Sequence, residues 1–287
     1  AVPFQNKDWR VGVYFNIAHN ENKITEMPDN YIEENYTFGN GNYAYRREEG
    51  RPMGSFYGYR YKGVYQNKDA TYARDIEGNV MKDISGNAIV MRNGSYTVAP
   101  GDAIYEDVNH DGVINQYDIV YLGNSNPRLT GGAGLNVSYK QFKLSAIFYG
   151  RYGQDVVNAT RLNNESMRGI DNQSTAVLRR WRNEGDQTDI PRALYGEGYN
   201  TLGSDRFVED ASYLRLKSLS FTYRLPKKAI QRWGFNNIDV YVTGYNLFTW
   251  TNYTGQDPEV KTENTYAKDT ATTPASIQLV AGFNLSF

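Results

Sequence analysis

The chain has 287 residues with 31 basic and 32 acidic side chains, a net charge of −1 that points to no polyanionic partner such as nucleic acid. Cysteine is absent and histidine occurs only as His19 and His110, which excludes a disulfide framework, thiol catalysis and cysteine zinc sites. Hydrophobic residues make up 40% with no run long enough for a membrane helix, yet 14% of the chain is aromatic, a profile shared with transmembrane β-barrels, where only alternate residues face lipid and aromatics mark both interfaces.

The opening AVPFQNKDW lacks the basic start and apolar run of a signal peptide, so an exported chain of this kind is expected to be processed or part of a longer one. The first regular element has a period of two. In WRVGVYFNI, Trp9, Val11, Val13, Phe15 and Ile17 fall on one face, with Arg10, Gly12, Tyr14 and Asn16 on the other. That length is close to the roughly 9 to 11 residues of a tilted membrane-crossing strand. GNGNYA, from Gly39, is a poor phosphate loop because no helix follows, and reads better as a Gly-Asn turn.

DVNHDGVINQYD, from Asp107 to Asp118, has the spacing of a calcium loop. Such loops take ligands from positions one, three, five, seven, nine and twelve, with glycine at six. The corresponding residues are Asp107, Asn109, Asp111, the backbone carbonyl of Val113, Asn115 and Asp118, with Gly112 at the turn. Hard oxygen donors favour calcium over a transition metal, and His110 lies between ligand positions. Asp118, shorter than the usual glutamate, argues for a static site. The alternative is an Asx-rich turn that binds nothing. The flanks are rich in Gly, Pro, Tyr and β-branched residues, so no helix pair is expected and a calcium sensor is excluded.

Alternation returns at Leu129, Gly131, Ala133, Leu135, Val137 and Tyr139, and resumes after Lys140 and Gln141 with Phe142, Leu144, Ala146, Phe148 and Gly150. Two intervening residues predict a tight hairpin. A connection of about fifty residues, from Gln154 to Arg206, follows. It includes RRWRNEGD (179–186), read as a short surface helix contacting a partner or as a plain solvated face. Glu209 and Asp210 cannot act as paired glycosidase carboxylates, because adjacent strand residues point to opposite faces. Further strands are predicted at Leu219–Leu225, from Ile238, and from Ile277 to the terminal Phe287.

An alternating strand also suits a soluble β-sandwich. Short connections alternating with very long ones, and an apolar alternation ending on an aromatic carboxyl terminus, favour a membrane barrel. Phe283, Leu285 and Phe287 form that ending, which resembles an outer-membrane assembly signal. Counting back from a periplasmic carboxyl terminus places the excursion 67–127, with its loop 107–118, outside the cell. A weak calcium site of roughly 10⁻⁴ to 10⁻³ M would fill there.

The blocks GDAIYEDVNHDGVINQYDIVYLGNSNPRLTGG, SDRFVEDASYLRLKSLSFTYRLP, YVTGYNLFTWTNYTGQDPEV and FNLSF, with REEGRPMGSFYGYRYKGVYQN upstream, resemble in order the carboxyl-terminal half of the SusC/RagA outer-membrane transporters. The resemblance implies an all-β fold, the carboxyl-terminal portion of an antiparallel transmembrane barrel of about 22 strands with long extracellular loops. It places residues 1–287 in one barrel domain whose plug and amino-terminal strands lie elsewhere, since about eight or nine strands cannot close such a barrel. Alone, such a portion should be neither stable nor transport-competent. The implied function is not enzymatic: import of glycan fragments or peptides in a Gram-negative outer membrane, powered by TonB and lidded by a SusD-like lipoprotein. Expected partners are that lipoprotein, the TonB system, the remaining barrel and plug, and membrane lipid. No substrate residues are assigned, although Tyr195, Tyr199 and Trp250 are conceivable sugar contacts in the loops. The competing reading is a calcium-stabilised surface adhesin or glycan-binding β-domain, which would be soluble.

Overall fold

The computed structural model describes residues 1–28, 43–44, 47–263 and 266–287; the Gly39–Asn42 part of the expected turn lies outside them. Six long strands dominate: β1 (Trp9–His19), β2 (Leu129–Tyr139), β3 (Phe142–Tyr152), β4 (Tyr213–Arg224), β5 (Asn237–Thr251) and β6 (Gln278–Ser286). With the short strand Phe4–Gln5 against β1 they make a seven-stranded sheet in which every strand pairs antiparallel with its neighbours in chain order. Among the described residues seven strands join this sheet, against the eight or nine expected for the wall. Short pieces such as Ser55–Gly58 and Tyr61–Val64 belong to separate sheets in the excursions.

The turn between β2 and β3 is the predicted two-residue hairpin, with Tyr139 opposite Phe142 and Lys140 at φ 51°. Positive φ in the first turn position matches the twist of the flanking strands. β4 begins six residues before Leu219, because a bulge conceals its first half. Leu214 and Leu216 share a face with Leu219 only because the register against β5 slips between Leu216 and Ser218. An extra residue flips the parity of a strand, and the charged Arg215 and Lys217 hid the alternation further.

The connections are sorted by end. Residues 20–128, 153–212 and 252–277 all leave from one end of the sheet, and the hairpin and residues 225–236 close the other. Burial is sorted too. The main hydrophobic core, with Tyr57, Tyr59, Tyr105, Ile114 and Tyr199, lies wholly in the excursions. A second cluster joins Phe56 to Phe207, and a third brings Tyr253 and Val260 against Val156. The three excursions therefore merge into one cap over the loop-bearing end. Asp102, fully buried, fastens two of them: it accepts from Arg192 Nε at 2.7 Å, the Tyr96 hydroxyl at 2.7 Å, the Ala99 amide at 2.8 Å and Asn200 Nδ2 at 3.3 Å.

The sheet reverses this pattern. Phe15 is 82% exposed, Ile17 69% and Phe283 67%, alongside Leu144, Phe221, Val242 and Phe248 on the same face. In a soluble sandwich this alternation would be packed inward. A contiguous apolar sheet face open to its surroundings is the outer wall of a membrane barrel. The opposite face is polar and closed by cross-strand pairs. Ser145 Oγ donates to Asn136 Oδ1 at 2.7 Å, and the Ser220 and Thr243 hydroxyls meet at 2.8 Å. Tyr14 lies over Gly134 and Tyr241 over Gly282, their register partners, so closely that a Cβ on either glycine would meet the ring. Glycine at these sites lets an inner tyrosine lie flat along the wall.

Candidate functional site

The inner face gathers its charge at the loop-bearing end. Arg151 on β3 stands opposite Tyr213, and Tyr149 opposite Arg215, so all four share that face. The returning excursion then folds onto the wall. Arg215, almost wholly buried, donates through Nη1 to Glu259 at 2.8 Å, through Nη2 to Asp257 at 2.5 Å and through Nε to the Thr249 hydroxyl at 2.8 Å. Lys217 Nζ reaches the same Glu259 oxygen at 3.0 Å. Burial pushes the Asp257 carboxyl up, but the Ala275 and Glu259 amides and the Arg215 guanidinium outweigh it and hold the carboxyl below its ordinary range. The segment is thus clamped to the wall by a fixed ion-pair network at neutral pH.

Beside this clamp opens a cavity of about 660 Å³, lined by Arg151, Asn126, Asp257, Glu259, Lys261 and Thr273 among others. That volume suits a sugar ring or an amino-acid residue of a longer ligand. Its walls come from the residues just before β2, from β3 and from the excursion 252–277. No single stretch of sequence announces it. Arg151 and Lys261 are separated by over a hundred positions and carry no motif.

The calcium-type loop lies in the cap, between the strands Ala103–Tyr105 and Val120–Asn124, and no helix pair flanks it. Gly112 sits at φ 79°, as the turn at position six demands. Asp107 accepts from the Asp111 and Gly112 amides at 3.2 and 2.8 Å, and Asp118, fully buried, accepts from the Val108 and Asn115 amides, both at 2.8 Å. Asn109 and Asn115 both turn their amide nitrogens to Asp111, and Asn115 also donates to the Val113 carbonyl at 3.1 Å. Burial, with Asp107 nearby, pushes the Asp118 carboxyl above its usual range. The six positions are brought into one loop with an oxygen-rich donor set, and the loop closes on its own hydrogen bonds. Among the described residues no cluster of three or more His, Cys, Asp or Glu side chains is gathered as around an ion.

The other expected contacts scatter. Tyr195 is exposed in its excursion. Tyr199 is buried, stacked on Tyr96 and edge-on to Tyr105, so it is core rather than a sugar platform. Trp250 is not in a loop: it is the last residue but one of β5, on the outer face, stacked with Phe148 and Phe248. Of residues 179–186 only Arg179 is helical, as the end of the 3-10 turn Thr175–Arg179; Trp181 is buried and Asp186 caps a turn by accepting from the Arg182 and Asn183 amides. Glu209 is committed to Arg161, Asn158 and Thr254, and Asp210 to Ser212. Phe283 and Leu285 lie on the outer face of β6 opposite Val240 and Ile238, and the exposed Phe287 rests on Phe235.

No family model matches the chain. TonB-dependent receptor P3 of Formosa agariphila is 32% identical over 266 residues, covering 90% of this chain and 24% of the receptor. TonB-dependent receptor SusC of Bacteroides thetaiotaomicron is 27% identical, covering 100% of this chain and 25% of SusC. Among solved structures, that of the RagAB peptide transporter superposes with a TM-score of 0.73 at 27% identity, over 100% of this chain and 28% of the RagAB chain. The RagAB peptide importer in its open-open state gives 0.67 at 26% identity, covering 100% and 27%. The chain spans about a quarter of the length of the relatives it matches. Receptor sequences and a RagAB backbone thus match the same strands and excursions, and the chain belongs to the SusC/RagA family of TonB-dependent receptors, as a section of its outer-membrane barrel.

Proposed function

We propose that the protein to which this chain belongs imports oligomeric nutrients, glycan fragments or peptides, across the outer membrane with TonB as the energy source and a SusD-like surface lipoprotein as lid. The observation that carries this reading is the superposition, over all of this chain and 28% of the RagAB chain, of a sheet whose apolar face is outward and whose inner face is polar and roofed at one end. The roofed end faces outside the cell in this reading, with the end of β6 in the periplasm and Phe283, Leu285 and Phe287 serving assembly. A soluble adhesin would not hold such an apolar face open. The test is uptake of labelled oligosaccharides and peptides by cells carrying the intact protein, with and without TonB, together with recovery of the lipoprotein on the purified receptor. Uptake is expected to disappear without TonB. Uptake that persists without it, or a receptor recovered from native membranes without any lipoprotein, removes the reading.

The loop 107–118 is proposed as a static calcium clip within the cap, held by Asp107, Asn109, Asp111, the Val113 carbonyl, Asn115 and Asp118. The support is the ligand spacing and the oxygen donor set. Calorimetry on the intact complex is expected to give a calcium signal in the range of roughly 10⁻⁴ to 10⁻³ M, lost in the Asp107→Ala, Asp111→Ala double variant. A signal that survives both substitutions eliminates the site.

A further inference from the structure

We infer that the cavity beside the Arg215 clamp is an anion-accepting subsite, and that the imported oligomer carries carboxylates. This inference rests on the import reading and narrows its substrate class. The first step is charge. Four cations, Arg151, Arg215, Lys217 and Lys261, stand at or behind the cavity wall against two carboxylates, Asp257 and Glu259. The two acids are already spoken for. Asp257 accepts from Arg215, the Glu259 amide and the Ala275 amide, and one Glu259 oxygen accepts from both Arg215 and Lys217. Arg215 is therefore neutralised as part of the wall.

What is left over is positive. Among the described residues Arg151 has a bond from Nε to the Tyr149 hydroxyl at 3.2 Å, a distant approach to the Tyr149 ring at 5.9 Å and a loose approach of Nη2 to Glu259 at 3.9 Å. A guanidinium has five N–H donors in a planar fork matched to a carboxylate. Lys261, exposed at the rim, makes no ion pair among the described residues. Asn126 and Thr273, on the same lining, add neutral polar side chains beside them. A cavity that consumes its own acids and leaves a guanidinium fork and an ammonium is complementary to an anion. Its place on the inner face, under the cap, puts that anion on the route through the barrel.

Two sources share this chemistry, an oligosaccharide containing uronic acids and an acidic peptide. The test uses the complete receptor with its lipoprotein and three probes: a uronic-acid hexasaccharide, a glutamate-rich hexapeptide and a neutral glucan hexasaccharide. Affinity is expected for at least one acidic probe, weakened at least about ten-fold, a difference of about 1.4 kcal/mol, by Arg151→Gln with Lys261→Gln. Lys261→Gln alone, at an exposed site that cannot harm folding, is expected to weaken it measurably. Lys143→Gln, on the same face but at the far end of β3, should leave it unchanged. Which acidic probe binds separates the two sources. Acidic probes that bind the double variant as well as the native complex, or a complex that binds and imports only the neutral glucan, overturn the subsite and leave import standing. A native complex that imports none of the three overturns both.

Discussion

Arginine in place of Leu135 is expected to destabilise the assembled barrel by about 2 to 4 kcal/mol, the cost of a charge on the lipid face near the bilayer midplane. Leu135 lies on the outer face halfway along β2, paired with Val13 on one side and Ala146 on the other, in a row continued by Leu219. Its surroundings there are hydrocarbon, and no described carboxylate shares the row to offset the charge. The matched control is Thr222→Arg, one face over on β4, opposite Lys143 and Tyr241. An inner position is hydrated by the lumen, so the same charge should cost little, within about 0.5 kcal/mol. Urea titration of the full-length receptor refolded in bilayers, read by the shift of the folded band on an unheated gel, measures both. Equal tolerance of the two substitutions, or the reverse order, would mean that the faces have been assigned the wrong way round.

That assignment was legible before any coordinates, because strand periodicity fixes faces wherever the alternation is unbroken. β1, β2, β3 and β6 read correctly from Trp9, Leu129, Phe142 and Ile277 onward to within two residues of their observed ends. β4 did not, since a bulge reverses parity in mid-strand and the inner Arg215 and Lys217 look like loop residues until their partners are known. Excursions escaped almost entirely. Tyr199 and Trp250 look alike as aromatic residues of long connections, yet one is core and the other is membrane wall, and only tertiary packing separates them. The oxygen-bearing positions of the loop 107–118 were visible because its ligands are consecutive in sequence. The cavity at Arg151 and Lys261 was invisible for the opposite reason: it is made by two excursions and the strand β3, which meet only when the sheet has formed.

The same meeting of excursions sets the second large effect, at Asp102. Asp102→Ala removes the acceptor shared by Arg192, Tyr96, Asn200 and the Ala99 amide, and strands a guanidinium in the cap. Breaking a buried ion pair from one side typically costs about 3 to 5 kcal/mol. The lower end applies here, because Arg192 keeps about a third of its side chain in contact with water and can be partly rehydrated. Replacing both partners by apolar residues, Asp102→Leu with Arg192→Met, is expected to recover part of the loss, since no uncompensated charge is left behind. The damage should be local. The cap has its own core, and the inner and outer faces of the sheet do not depend on this carboxylate. Limited proteolysis of the intact receptor should therefore open the segments around residues 96–105 and 190–202 in the single variant, while the folded barrel band on an unheated gel persists. Cleavage indistinguishable from the native protein would show that Asp102 does not fasten the cap, and simultaneous loss of the barrel band would show that cap and wall unfold as one unit.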